Sequence, residues 1–215
     1  MKRFTPLLAL LLAATAIDAN AQLVVHTTSF FTGTNFNGFE GISDPFPLAT
    51  PYTEGGITVE YIPTAPGGGT DIWTTFLRAG ARGWYPDGGH NGYTDIKLAS
   101  GAAFSNFQLL VGSGCGGCGD LFYQFLLGGS VVATGDAGGL SGFTDRGFSG
   151  ILMDEVRLQE GFTAFDPNAY EALAIDNLEI TEATSSPEPA SLILLATGLV
   201  GVVGMVRRKR AALAH

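Results

Sequence analysis

Two cysteines three positions apart form the sharpest local motif in the chain, Cys115-Gly116-Gly117-Cys118. Such a pair does redox chemistry when its first thiol sits at a helix N-terminus, where the helix dipole lowers the thiol pKa. Here an apolar, strand-like run, Leu121 to Leu127, follows instead. A structural zinc site needs two further ligands, yet no other cysteine exists and His26, His90 and His215 are scattered. The pair therefore reads as a small structural disulfide, Cys115 with Cys118, provided the compartment is oxidising. Free thiols and a redox or metal pair are the alternatives. Closing so small a loop gives about 2 kcal/mol in the chain-entropy picture, before strain.

A second constellation is aromatic. Trp73, Trp84, Tyr85 and Tyr93 crowd a glycine-rich stretch that also holds Asp87, His90 and Asn91. Exposed rings stack on sugar faces while Asp and Asn exchange hydrogen bonds with hydroxyls, so Trp84, Tyr85, Asp87 and Tyr93 are candidate glycan-binding residues. The competing reading, which packing favours, is that these large side chains cap a core and the glycines turn the chain. His90 reads as a solvated loop residue. Hydrolase and phosphate-loop signatures are missing: no Gly-x-Ser-x-Gly, no His-Glu-x-x-His, no Gly-Lys-Ser or Gly-Lys-Thr. "GGLSGF" around Ser141 has the wrong spacing for a nucleophile elbow. The sequence thus favours a non-enzyme, although a glycosidase needs only two carboxylates.

The elements that would position these residues are short strands. Leu23 to Phe31 reads as an opening strand, and "GITVEYI" (Gly56 to Ile62) alternates Ile57, Val59 and Tyr61. "FSNFQLLVG" (Phe104 to Gly112) is another. "LFYQFLLGGSVVATG" (Leu121 to Gly135) reads as strand, turn, strand about Gly128-Gly129. "ILMDEVRLQ" (Ile151 to Gln159) and "EALAIDNLEIT" (Glu171 to Thr181) complete the set. At least six strands, glycine turns, no amphipathic helix and no fixed repeat point to an all-β antiparallel sandwich, jelly-roll-like.

The two ends fall outside that fold. Lys2 and Arg3, the apolar Leu7 to Ile17, and Ala19-Asn20-Ala21 make a signal peptide over 1-21, with the mature chain starting near Gln22. At the other end Pro187-Glu188-Pro189 precedes an uncharged run from Ala190 to Val206 and the cluster Arg207, Arg208, Lys209, Arg210. At about 1.5 Å per residue the run makes a helix of roughly 25 Å, enough to cross a bilayer with local thinning. The four cations hold its end on the cytoplasmic side as a membrane stop. Between the ends lies one exported domain, 22-184, with five basic and eighteen acidic residues and a net charge of −13. That surface repels nucleic acid and anionic lipid.

The tripartite tail, 185-215, resembles the PEP-CTERM sorting signal of exported proteins in exopolysaccharide-producing, Gram-negative-type bacteria. The resemblance implies a transmembrane helix over 190-206, cleavage by an exosortase-like membrane peptidase, and transit from the inner membrane to the cell envelope or exterior. "GWYPDGGHNGYTDIKLASGAAFSNFQLLVGSG", "GFSGILMDEVRL" and "ALAIDNLEI" look like ectodomains of such proteins, which are similar to galactose-binding-like jelly rolls. In that likeness an acid near the first strand and one on the last meet at a structural calcium ion. Glu40 and Asp176 are the matching positions, with Asp44 a further candidate ligand. Two carboxylates fall short of the six to eight oxygens calcium takes, and Asp176 has the alternative of bonding its own backbone. The expected function is a non-catalytic module associated with exopolysaccharide or another glycan; the alternative is a secreted polysaccharide hydrolase or lyase.

Overall fold

The computed structural model describes residues 22–42, 51–64, 82–85, 90–114, 119–168 and 170–183. The expected signal peptide, Asp44, Trp73, Asp87, the Cys115–Cys118 pair and the whole sorting tail lie outside these residues. The chain divides into two units, Met1–Glu182 and Ala183–His215, and every strand lies in the first. Among the described residues there is no helix, so none is long and apolar enough to cross a membrane.

The strands are β1 Val24–His26, β2 Asn35–Asn37, β3 Tyr52–Glu54, β4 Ile57–Pro63, β5 His90–Leu98 and β6 Phe104–Ser113. They continue with β7 Asp120–Leu127, β8 Ser130–Gly139, β9 Thr144–Met153, β10 Glu155–Gly161, β11 Tyr170–Glu171 and β12 Leu173–Glu182. One sheet has the order β1-β9-β6-β12-β2. The other runs β3-β4-β5-β10-β7-β8, with β11 paired to β5. All pairings are antiparallel. The protein is a β-sandwich.

Alternation decides which side chains meet between the sheets. Phe148 of β9 lies 5.0 Å from Phe125 and 5.1 Å from Tyr123, both on β7 of the opposite sheet, and stacks on Phe107 of β6 at 5.7 Å. All but Tyr123 are fully buried. Edge-to-face contact of this kind adds about 0.5–1.5 kcal/mol to the apolar burial itself.

The hairpin at Gly128-Gly129 forms as the sequence implies: both glycines have positive φ, 58° and 77°, which the mirror-image hairpin turn requires. Other strands depart from the simple alternation. The expected opening strand Leu23 to Phe31 shortens to Val24–His26. Beyond it, Gln108 of β6 satisfies the backbone instead: its Oε1 accepts Phe30 N–H at 3.0 Å and its Nε2 donates to Phe31 O at 2.7 Å. The expected single strand Ile151 to Gln159 is two, one in each sheet, with Asp154 at the crossing. Asp154 N–H donates to Leu126 O and its carboxylate accepts Gly128 N–H at 2.7 Å, fixing the corner to the hairpin.

Candidate functional site

The aromatic constellation does not come together. Trp84 is fully buried, its backbone exchanges hydrogen bonds with Ile175 at 2.8 and 2.7 Å, and its indole N–H donates to Thr94 Oγ1 at 3.2 Å. Phe39 packs on it at 6.1 Å. The glycan-binding assignment of Trp84 is therefore corrected: a buried ring with its one polar atom satisfied belongs to the core. Tyr93 precedes Thr94 on β5 and so points to the opposite face of the seven-stranded sheet. Tyr85 is half-buried against Gly114, where an added methyl would come within 2.3 Å of its ring.

The two acids tied to calcium flank one segment. Glu40 is exposed and accepts Arg82 N–H at 3.3 Å; Asp176 follows Ile175, which bridges Trp84. Asp176 is fully buried, and its Oδ1 accepts the Asn177 N–H at 2.7 Å. It lies within β12, at a bulge: Asp176 pairs Leu110 but Glu179 pairs Gln108, so one extra residue is inserted, and Asn177 takes φ of 46°. The bulge shifts the inward phase from Leu173 and Ile175 to Leu178 and Ile180. Glu40 thus bonds Arg82, and Asp176 adjoins the residue that bridges Trp84. Among the described residues, no group of three His, Cys, Asp or Glu side chains is placed to hold a metal.

A charged cluster that the sequence reading did not single out occupies the outer face of the seven-stranded sheet. Lys97 Nζ stands 2.6 Å from Asp95 Oδ2 and 3.2 Å from Glu155 Oε2, while Arg157 approaches Glu155 Oε1 at 2.5 Å. The same guanidinium lies 5.2 Å over the Tyr93 ring, and Phe165 approaches Tyr93 from another side at 5.8 Å. Alternation carried the signal: Tyr93, Asp95 and Lys97 interleave with Thr94, Ile96 and Leu98, and Glu155 and Arg157 with Val156 and Leu158. His90, expected in a loop, instead opens β5 opposite Glu171; the glycine, asparagine and aspartate before Tyr93 favour turns and mask the strand in the sequence.

The two carboxylates differ in their surroundings. Burial pushes the Asp95 pKa up to about 6, against the pull of Lys97, and its Oδ1 meets no donor among the described residues. Burial also opposes charge on Glu155, but Arg157 and Lys97 outweigh it and hold its pKa below the ordinary range. Below about pH 6 the cluster takes a proton at Asp95, while Glu155 keeps its charge to lower pH beside Arg157 and Lys97.

The description "PEP-CTERM protein-sorting motif" matches residues 187–210. The chain carries a PEP-CTERM sorting motif. The match takes in Pro187-Glu188-Pro189, the uncharged run and the basic cluster, which are the parts read from the sequence. The PEP-CTERM motif implies a secreted protein processed at the membrane by an exosortase-type enzyme. No curated protein matches the chain.

Proposed function

We propose that the exported β-sandwich is a non-catalytic module that associates with glycan of the cell envelope or the surrounding exopolysaccharide after its PEP-CTERM tail is removed. The observation that carries this reading is the outer face of the seven-stranded sheet, where Tyr93 and Phe165 stand beside Arg157 and the exposed Asp166. Rings beside hydrogen-bonding groups, outside the core, are what sugar recognition uses. The likeness to galactose-binding-like jelly rolls supports the same reading, and with it a structural calcium ion at Glu40 and Asp176. A glycan array, together with an assay for new reducing ends, tests the function: binding without product supports it, and an absence of binding overturns it.

Asp95 and Glu155 favour a second reading, a polysaccharide hydrolase or lyase, because two nearby carboxyls with oppositely displaced pKa values are how acid and base roles separate. Against it, both face cations and are largely buried, which leaves little room for a sugar between them. Release of reducing ends, lost in Asp95→Asn and Glu155→Gln, would establish that reading instead. Processing is tested separately, by mass spectrometry of envelope protein from the native host. A C-terminus near Pro187-Glu188-Pro189 is expected, and a chain ending at His215 would overturn it.

A further inference from the structure

We propose that the sugar-binding site of this domain is the cleft between the β7–β8 hairpin and the loop after β10, and that it takes one ring of an uncharged glycan. The inference rests on the glycan-associated reading and gives it a place. The loop leaves β10 at Gly161 and crosses the outer face of β7 over Phe122: a Cβ at Gly161 would come within 3.1 Å of that ring. Phe122 is nearly buried and forms the floor, while Thr134 and Asp136 of β8 face Thr163 and Phe165 of the loop across a cavity of about 260 Å³. Pockets for drug-sized ligands run to roughly 300–1,000 Å³. This one therefore fits a single ring rather than a buried oligosaccharide, with the rest of the polymer in solvent.

The loop is built to keep its shape. Gln159, fully buried, accepts Asp166 N–H at 2.8 Å, donates back to Asp166 O, and donates to Gly92 O at 2.9 Å. Phe165 packs on Tyr93, Asp166 Oδ1 caps Asn168 N–H at 2.9 Å, and the Thr64 hydroxyl donates to Pro167 O. A loop already ordered loses little entropy when a ligand arrives. The buried glutamine ties Asp166 to β10 and leaves Phe162, Thr163 and Ala164 exposed.

The chemistry of the lining selects the ligand. Phe165 lines the cleft, and Phe162, 75% exposed, comes one residue before the lining Thr163 in the chain; either ring can stack on the C–H face of a sugar. Asp136 uses Oδ1 on Gly138 N–H at 2.6 Å and keeps its other oxygen to accept from a hydroxyl. The Thr134 hydroxyl donates to Tyr123 O at 3.0 Å and keeps its lone pairs. Asp136 is the one ionisable group lining the cleft among the described residues. With no cation among the described lining residues to pair a uronate, sulfate or phosphate, Arg157 nearby already held by Glu155, and the domain itself strongly acidic, an anionic sugar is repelled and a neutral one is not.

The test is isothermal titration of the mature protein with neutral hexose tetrasaccharides (gluco-, galacto- and manno-series) and with tetragalacturonate as the anionic counterpart. At least one neutral tetrasaccharide should bind and tetragalacturonate should not. Phe162→Ala and, separately, Asp136→Ala should each weaken binding by at least about tenfold, the loss of roughly 1.4 kcal/mol of contact. Phe162→Ala should leave the melting temperature unchanged. Phe36→Ala, which removes an exposed ring on the other sheet, should leave binding unchanged. Binding that survives both cleft substitutions, or that prefers tetragalacturonate, overturns the cleft and leaves the glycan-associated reading standing. Failure of the unmodified protein to bind any of the four overturns the reading and the cleft with it.

Discussion

Asp95 sits in a place where its charge works against the fold, and replacing it with asparagine should make the protein more stable at neutral pH. Its side chain is 6% exposed, Lys97 meets one oxygen at 2.6 Å, and the other oxygen meets no donor among the described residues. Burial lifts its pKa from 3.8 to about 6 in the folded protein. An acid that holds its proton more tightly when folded contributes fully below the unfolded pKa, near 4. That contribution is lost as pH rises through the folded pKa, near 6. At about 1.36 kcal/mol per pH unit the loss is up to about 3 kcal/mol. The pull of Lys97 is already contained in that figure. Glu155 runs the other way: its lowered pKa contributes stability that is present above its unfolded value and lost as pH falls through its folded one. The difference between Asp95→Asn and the unmodified protein therefore isolates Asp95. Urea unfolding at pH 4 and pH 7 is the assay. The variant should match the parent near pH 4 and exceed it by as much as about 3 kcal/mol at pH 7. Equal or lower stability of the variant at pH 7 would refute the reasoning and show that the Lys97 contact outweighs the burial of the charge.

Phe148→Ala should cost about 3–5 kcal/mol, read as a lower urea midpoint, because it empties the contact that joins β9 to Tyr123 and Phe125 of the other sheet. Gly55→Ala should destabilise more than Gly101→Ala in thermal melts. Both have positive φ, costing about 1–2 kcal/mol, but the added carbon at Gly55 would fall 1.7 Å from Phe36 O and at Gly101 meets nothing within 4 Å. The proposed calcium should raise the melting temperature, by linkage about 2.7 kcal/mol at one hundred times the dissociation constant. Asp176→Ala should abolish that response, and an unchanged melt across chelator and millimolar calcium removes the cofactor. Alkylation before and after reduction should find Cys115 and Cys118 oxidised in envelope-extracted protein; two free thiols would refute the disulfide.

The sorting motif was fully legible in the sequence, because a motif, an apolar run and a cation cluster in series act through composition and order alone. The two-sheet class was legible for a related reason: period-2 burial in β4 writes itself as the alternation of Ile57, Val59 and Tyr61, and β6 and β7 show as short apolar runs bounded by glycine. Gly128-Gly129 marked its turn because positive φ admits few residues. What the sequence left undecided depends on residues far apart in the chain. One extra residue at Asn177 reversed the inward phase of β12, and a crossing at Asp154 cut one apparent strand into two, since local pattern does not say which sheet each half joins. Trp84 and Tyr93, nine positions apart, looked like one aromatic cluster. Only the tertiary structure decided that the seven-stranded sheet passes between them, burying one ring against Phe39 and leaving the other outside with Arg157. The pairing of β5 with β10 likewise brought Asp95 and Lys97 to Glu155 and Arg157 across some sixty residues of chain, a proximity that register sets and local sequence does not encode.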